Sequence, residues 1–334
     1  MNNERLCVRY LSILIDPYIL MMFATVALAA VMPASGGGAE ILGVAVSAGI
    51  VFLFFLYGAR ISSAEALKGL SHWRLQLAVV VITFVLFPVL GLGISAASAG
   101  FLPSALLTGL IFLCVLPSTV QSSIAFTSIA GGNVPAALCA ASASNIIGVF
   151  VTPLLAGWLM QAAGTQLSLD VFRDILLQLF VPFVVGQMMR RWIGAWVTRN
   201  KKVLTYVDRG AILLIIYAAF SRGMVSGVWG QVQLIDLIVL MLILGLLLAL
   251  VLQITKWASR KILRFEAADE AVLLFCGSTK SLASGLPIAS VLFSGPALGL
   301  MILPLMLFHQ MQLIVCAVIA RHRSERQDLA SAKT

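Results

Sequence analysis

The sequence predicts an all-α polytopic membrane protein, with ten transmembrane helices arranged as two inverted five-helix repeats. Three observations carry this reading. Of the 334 residues, 61% are hydrophobic and 10% charged, with a mean hydropathy of +1.05, whereas a soluble domain is about 25% charged. Apolar runs recur at the length of about 20 residues that crosses a bilayer. Lys and Arg gather in the loops of one side, which marks that side as cytoplasmic.

In chain order the spans are Ile13–Met32, Ile41–Ala59, Leu75–Ala97, Pro103–Ala130, Val134–Met160, Val171–Met189, Ala211–Gly227, Leu234–Trp257, Glu270–Phe293 and Pro296–Ala320. The first could pass for a signal peptide, but its apolar run exceeds the usual core of about 7–15 residues. Asp16-Pro17 caps its start. Arg222 interrupts the seventh. Residues 1–320 form one membrane domain, with repeats at about 11–165 and 170–320. The polar tail 321–334 is expected to lack fixed structure and to be drawn to anionic lipid.

With ten spans both termini share a side. Arg5, Arg9, Arg60, Lys68, Arg74, the six basic residues from Arg190 to Arg209, the four from Lys256 to Arg264, and Arg321, Arg323, Arg326 and Lys333 fall on it. That is 19 of the 22 basic residues. Both termini are therefore expected in the cytoplasm and the chain in the cytoplasmic (inner) membrane. The net charge of +9 reports this topology and not a nucleic-acid partner. Cys7, Cys114, Cys139, Cys276 and Cys316 show no CxxC or metal spacing. With no His cluster either, neither a cofactor nor a disulfide frame is expected.

Spans four and nine stand in corresponding positions of the two halves, and both are unusual. Span nine carries Ser278, Thr279, Lys280 and Ser281 between glycines, with Pro287 beyond. Span four carries Ser118, Thr119, Gln121, Ser122 and Ser123 after Pro117. Ser118-Thr119 and Ser278-Thr279 lie 160 residues apart, close to half the chain. Paired, interrupted, polar helices in inverted halves point to a transporter site near the midplane. These nine residues, with Asn145 of span five, are the candidate substrate or ion ligands.

For span four the alternative is a kinked helix whose hydroxyls bond to their own backbone. For Lys280, lying at bilayer depth where charge is expensive, three roles stand open. It could bind an anionic substrate group, it could titrate, or it could serve as a fixed charge in the place of a coupling ion. The alternative to all three is snorkelling to an interface. His309 is read as a helix–helix hydrogen-bond residue, and no hydrolase signature accompanies it.

Segments from nearly the whole chain together resemble a known family. They are His72-Trp-Arg-Leu75, Thr83-Phe-Val-Leu-Phe-Pro88, Leu116-Pro-Ser-Thr-Val-Gln-Ser-Ser-Ile-Ala-Phe-Thr127 with Gly131-Gly-Asn133, Phe275-Cys-Gly-Ser-Thr-Lys-Ser-Leu282 and Phe308-His-Gln-Met-Gln-Leu313. The resemblance is to the bile acid:sodium symporter superfamily, in its SBF-like branch of bacterial YfeH-type symporters. It implies a core of spans three to five and eight to ten, a panel of the other four, and broken spans four and nine crossing in the core. It also places degenerate sodium positions at Ser122, Ser123 and Thr279. The family's shared sodium-binding glutamate falls at Phe275, and two further ligand positions fall near Ala137 and Ala141.

The reading is a secondary active transporter, a symporter, for a small organic anion, working by alternating access. It is not an enzyme. Classical two-sodium coupling is not expected, and the coupling ion is left as proton or sodium. The alternative from another class is a non-transporting membrane regulator or scaffold acting through the cytoplasmic basic loops.

Overall fold

The computed structural model describes residues 17–60, 72–162, 173–293 and 295–331. Among them every regular element is helical. The chain runs through α1 (Pro17–Val31), α2 (Gly37–Arg60), α3 (Trp73–Ala97), α4 (Ser104–Cys114), α5 (Gln121–Ile129) and α6 (Val134–Ala162). It continues through α7 (Val181–Arg199), α8 (Lys201–Val225), α9 (Leu234–Trp257), α10 (Ala267–Ser278), α11 (Leu282–Leu292) and α12 (Leu298–Ser331). Among the described residues, seven segments are long and apolar enough to cross a membrane, counting α10 with α11 as one. This is a multi-pass membrane protein.

Most predicted spans meet a helix, and α9 coincides with the eighth residue for residue. Its start is set chemically, because the Gln233 amide donates to the Asp236 carboxylate at 2.8 Å in a capping box,. Three expectations change. The basic stretch between spans six and seven is helical, since α7 runs to Arg199 and α8 begins at Lys201. Arg222 sits in the last turn of a continuous α8 and interrupts nothing. The tail is not structureless, because α12 continues to Ser331. There Arg323 and Arg260 both ion-pair with the buried carboxylate of Glu270. The cap expected at Asp16, and Arg5, Arg9, Lys68 and Lys333 of the basic face, lie outside the described residues.

The helices pack in two neighbourhoods. The most extensive contact is α2 along α7, and α8 lies against α1 and α2. Elsewhere α12 packs on α4, while α10 touches α3, α5, α6 and α9. The segment Ala267–Leu292 is the innermost: 89% of its apolar window is buried, against 28–39% for the other six. A helix this enclosed faces protein on all sides, so its polar residues answer to neighbouring helices and not to lipid.

Glycine allows the α2–α7 contact. A Cβ at Gly58 would collide with the Phe183 carbonyl, and one at Gly186 with the Phe55 carbonyl. Small residues at such positions let helix backbones touch. Gly58→Ala is expected to force the helices apart and cost about 1–3 kcal/mol. The check is a lower thermal-unfolding midpoint in detergent, and an unchanged midpoint would refute the contact.

Candidate functional site

The site forms where two non-helical stretches meet. Residues 115–120 separate α4 from α5, and Thr279, Lys280 and Ser281 separate α10 from α11. Pro117 has no N–H and clashes with the preceding turn, so α4 cannot continue through it. Ser281 begins α11 as its N-cap, its hydroxyl accepting from the Ser284 amide at 3.2 Å,. The stretches are joined directly, as the Ser281 amide donates to the Pro117 carbonyl at 2.8 Å.

Unwinding exposes carbonyls that an apolar interior cannot leave unpaired. Here each finds a donor. The Val115 carbonyl accepts from Thr152 at 2.8 Å. Pro117 takes Ser281, as above, and Ser118 takes the Asn145 amide at 2.7 Å. The Cys114 and Leu116 carbonyls accept from the Lys280 ammonium at 2.8 and 2.7 Å.

The ammonium's third acceptor is the Thr83 carbonyl at 2.8 Å, and it comes from a different kind of break. Within α3, Ile82–Leu86 forms a π-helical turn, so the Phe87 amide bonds to Ile82 and no longer to Thr83. In the π register Thr83 would bond to residue 88, which is Pro88 and has no N–H,. The orphaned carbonyl turns to Lys280. The Phe87 ring closes the cage, its centroid 4.0 Å from Nζ,.

Lys280 is thus fully buried with all three N–H donors engaged. An ammonium taken from water loses several kcal/mol of hydration. Three charge-assisted hydrogen bonds of about 1.5–3 kcal/mol each can offset that. The C-terminal carbonyls of α4 add the favourable end of a helix dipole. A lysine bound in this way has no free donor for a substrate. Of the roles open in the sequence, this geometry argues against direct binding of an anionic substrate group and leaves titration and a fixed charge. Its peptide is held as firmly: the Lys280 amide donates to Gln312 Oε1 at 2.7 Å, and Gln312 Nε2 donates to the Lys280 carbonyl at 2.8 Å. His309 Nδ1 lies 2.9 Å from Gln312 Nε2.

Beside the cage is a cluster of hydroxyls. Thr279 Oγ1 donates to the Phe275 carbonyl at 2.9 Å and lies 2.8–3.2 Å from the hydroxyls of Ser118, Thr119 and Ser123. Ser122 donates to Thr119 at 2.7 Å. Asn145 joins from α6, accepting from the Ser284 hydroxyl at 2.8 Å. No carboxylate belongs to this hydroxyl cluster. Eight of the ten sequence candidates therefore come together. Ser278 bonds back to Leu274 in its own helix, and Gln121 is exposed, apart from the cluster.

Sequence reasoning missed Phe87, Thr152, Ser284 and the positioning role of Gln312. It also missed the cage itself, built of backbone oxygens. The one available signal was Pro88 placed five residues after Thr83.

Comparison with known proteins matches the chain to a family of transporters. The model of the SBF-like CPA transporter family matches residues 16–325. "Uncharacterized protein PA2026" of Pseudomonas aeruginosa is 51% identical over 318 residues, 95% of each chain. "Putative symporter YfeH" of Escherichia coli is 46% identical over 314 residues, 94% of each. The rat "Sodium/bile acid cotransporter 7" is 28% identical over 272 residues, 81% of this chain and 80% of its own.

Proposed function

This chain belongs to the SBF-like CPA transporter family, and from that premise we propose that it is a secondary active transporter of a small organic anion, with Lys280 in the place of a coupling cation. The family is one of transporters, not enzymes. In this reading the interrupted pairs α4/α5 and α10/α11 are spans four and nine, crossing in two inverted five-helix halves. Helices α3–α6 and α9–α12 form the core, and α1, α2, α7 and α8 the panel against which it moves. The chain lies in the cytoplasmic membrane with both termini inside, as the basic residues argue.

The observation that carries the proposal is the cage. Three backbone carbonyls and a ring face surround one positive charge, in the manner of a desolvated cation site, and the cation is covalently tethered. A second cation beside it would meet repulsion with no carboxylate in the cluster to offset it. Of the hydroxyl cluster, Ser118, Thr119, Ser123 and Thr279 are buried and bonded to one another, so half-buried Ser122 and Asn145 are the polar groups through which it would meet the cargo. Transport is then expected to be independent of sodium.

The test begins with a thermal-shift screen of the purified protein against bile acids and smaller carboxylates, with and without sodium. The stabilising anion is then followed as a radiotracer into proteoliposomes. Uptake unchanged when choline replaces sodium is the expected result. Strong sodium stimulation would sink the tethered-cation reading.

A further inference from the structure

The contacts of Gln312 determine a proton position. The Lys280 amide is an obligate donor, so the atom 2.7 Å from it must be the Gln312 oxygen,. The side-chain nitrogen is then the atom facing both the Lys280 carbonyl at 2.8 Å and His309 Nδ1 at 2.9 Å. An amide nitrogen only donates, so Nδ1 accepts and carries no proton. His309 is neutral here, with its hydrogen on Nε2. A second contact is idle in this state: Nδ1 lies 3.4 Å from the Lys280 carbonyl, two acceptors facing each other.

We propose that His309 is a proton-responsive positioning residue: its neutral ring holds Gln312 on the Lys280 peptide, and a proton added at Nδ1 exchanges Gln312 for His309 as donor to the Lys280 carbonyl. A proton taken from water at Nδ1 sets two donors face to face across 2.9 Å. It also turns the idle 3.4 Å contact into a donor–acceptor pair. Gln312 is pushed off, and the peptide that carries the caged ammonium changes partner. His309 is half-buried.

The charges around it can be named. Lys280 contributes its ammonium, engaged in the cage. Helices α4, α5 and α11, which pack on α12, contain no charged residue. On α8 the charges are Lys201, Lys202, Asp208 and Arg209 in the first three turns and Arg222 in the last, and on α9 they are Asp236 and Lys256 near the ends. The carboxylates on these five helices are Asp208, in the first three turns of α8, and Asp236, in the first turn of α9.

This inference deepens the transport reading by making the proton the ligand that moves the Lys280 peptide, and it rests on that reading only for the link to coupling. Its test needs no cargo, so the two can fail separately. His72→Gln and His322→Gln, both at exposed side chains, leave His309 as the single histidine. With 15N-labelled histidine in lipid nanodiscs at pH 8, its ring is expected to carry hydrogen on Nε2 and none on Nδ1. A proton on Nδ1 overturns the inference.

The second arm is His309→Asn, whose side-chain oxygen can sit where Nδ1 sat and cannot be protonated. Between pH 8 and pH 5 the wild-type unfolding midpoint should fall more than the variant's, by about 2–4 °C. The folded state holds the neutral ring, so acid favours release. Equal pH slopes in the two proteins overturn the inference. Should His309→Asn not fold, the nitrogen spectrum of the single-histidine protein decides alone.

Discussion

Lys280→Ala is expected to lower the unfolding midpoint by on the order of 10 °C and to abolish transport, and n-propylammonium is expected to restore much of the stability. The loss follows from what remains. Truncation leaves the carbonyls of Thr83, Cys114 and Leu116 in an apolar interior without a donor. Each such orphan costs about 1–3 kcal/mol, and several kcal/mol correspond to roughly 10 °C. A buried charge pair can often be replaced by apolar residues at no loss when both partners go. That escape is closed here, because all three acceptors are backbone atoms that no side-chain substitution removes. n-Propylammonium supplies the three carbons and the ammonium that alanine lacks. Lys280→Arg should not substitute, since a planar guanidinium fork cannot direct donors at three carbonyls around one nitrogen. A stable Lys280→Ala protein, indifferent to alkylammonium, would remove the cage from the argument.

Glu270→Ala is expected to be the other severe change, at about 2–4 kcal/mol, less than for a fully buried pair because solvent screens the half-exposed Arg260,. The Glu270 side chain is 6% exposed and binds Arg260 through both oxygens, at 2.8 and 2.9 Å, together with Arg323. Without the carboxylate, two guanidinium groups are left facing each other. Glu270→Ala combined with Arg323→Ala should be less damaging than the two single losses added together. Ending the chain after Ala320 should cost as much as Arg323→Ala. Unfolding midpoints of the four proteins decide the matter, and strict additivity would show that the three charges act independently.

How much of this was legible depends on where the chemistry resides. Lys280 could be read because a charge in an apolar run is conspicuous. Ser118, Thr119, Ser123 and Thr279 could be read because hydroxyls gathered beside Pro117 and between glycines. What binds Lys280 could not, since every residue has a carbonyl and only the path of the chain decides which are left unpaired. The helical ends that carry Arg190 to Arg209 look like a loop in the sequence because hydropathy records partition into lipid, and a helix can extend past the bilayer. The end of α12 is hidden for a related reason. Arg323 belongs to a polar run that looks solvated, and its partner Glu270 lies 53 positions away in sequence.

The paired glycines of α2 and α7 bear on mechanics. Gly58 receives a carbonyl of α7, and Gly186 receives one of α2. Two rods notched into each other at two points cannot slide lengthwise without riding out of both notches. Helices α2 and α7 therefore act as a single stiff beam. Where that beam meets the start of α11, Tyr57 donates to the Ala283 carbonyl at 3.2 Å. In the proposed cycle, moving the core past this beam would break that bond and part Phe183 of α7 from Phe150 of α6, whereas the lysine cage draws its three carbonyls and its ring from residues outside the beam.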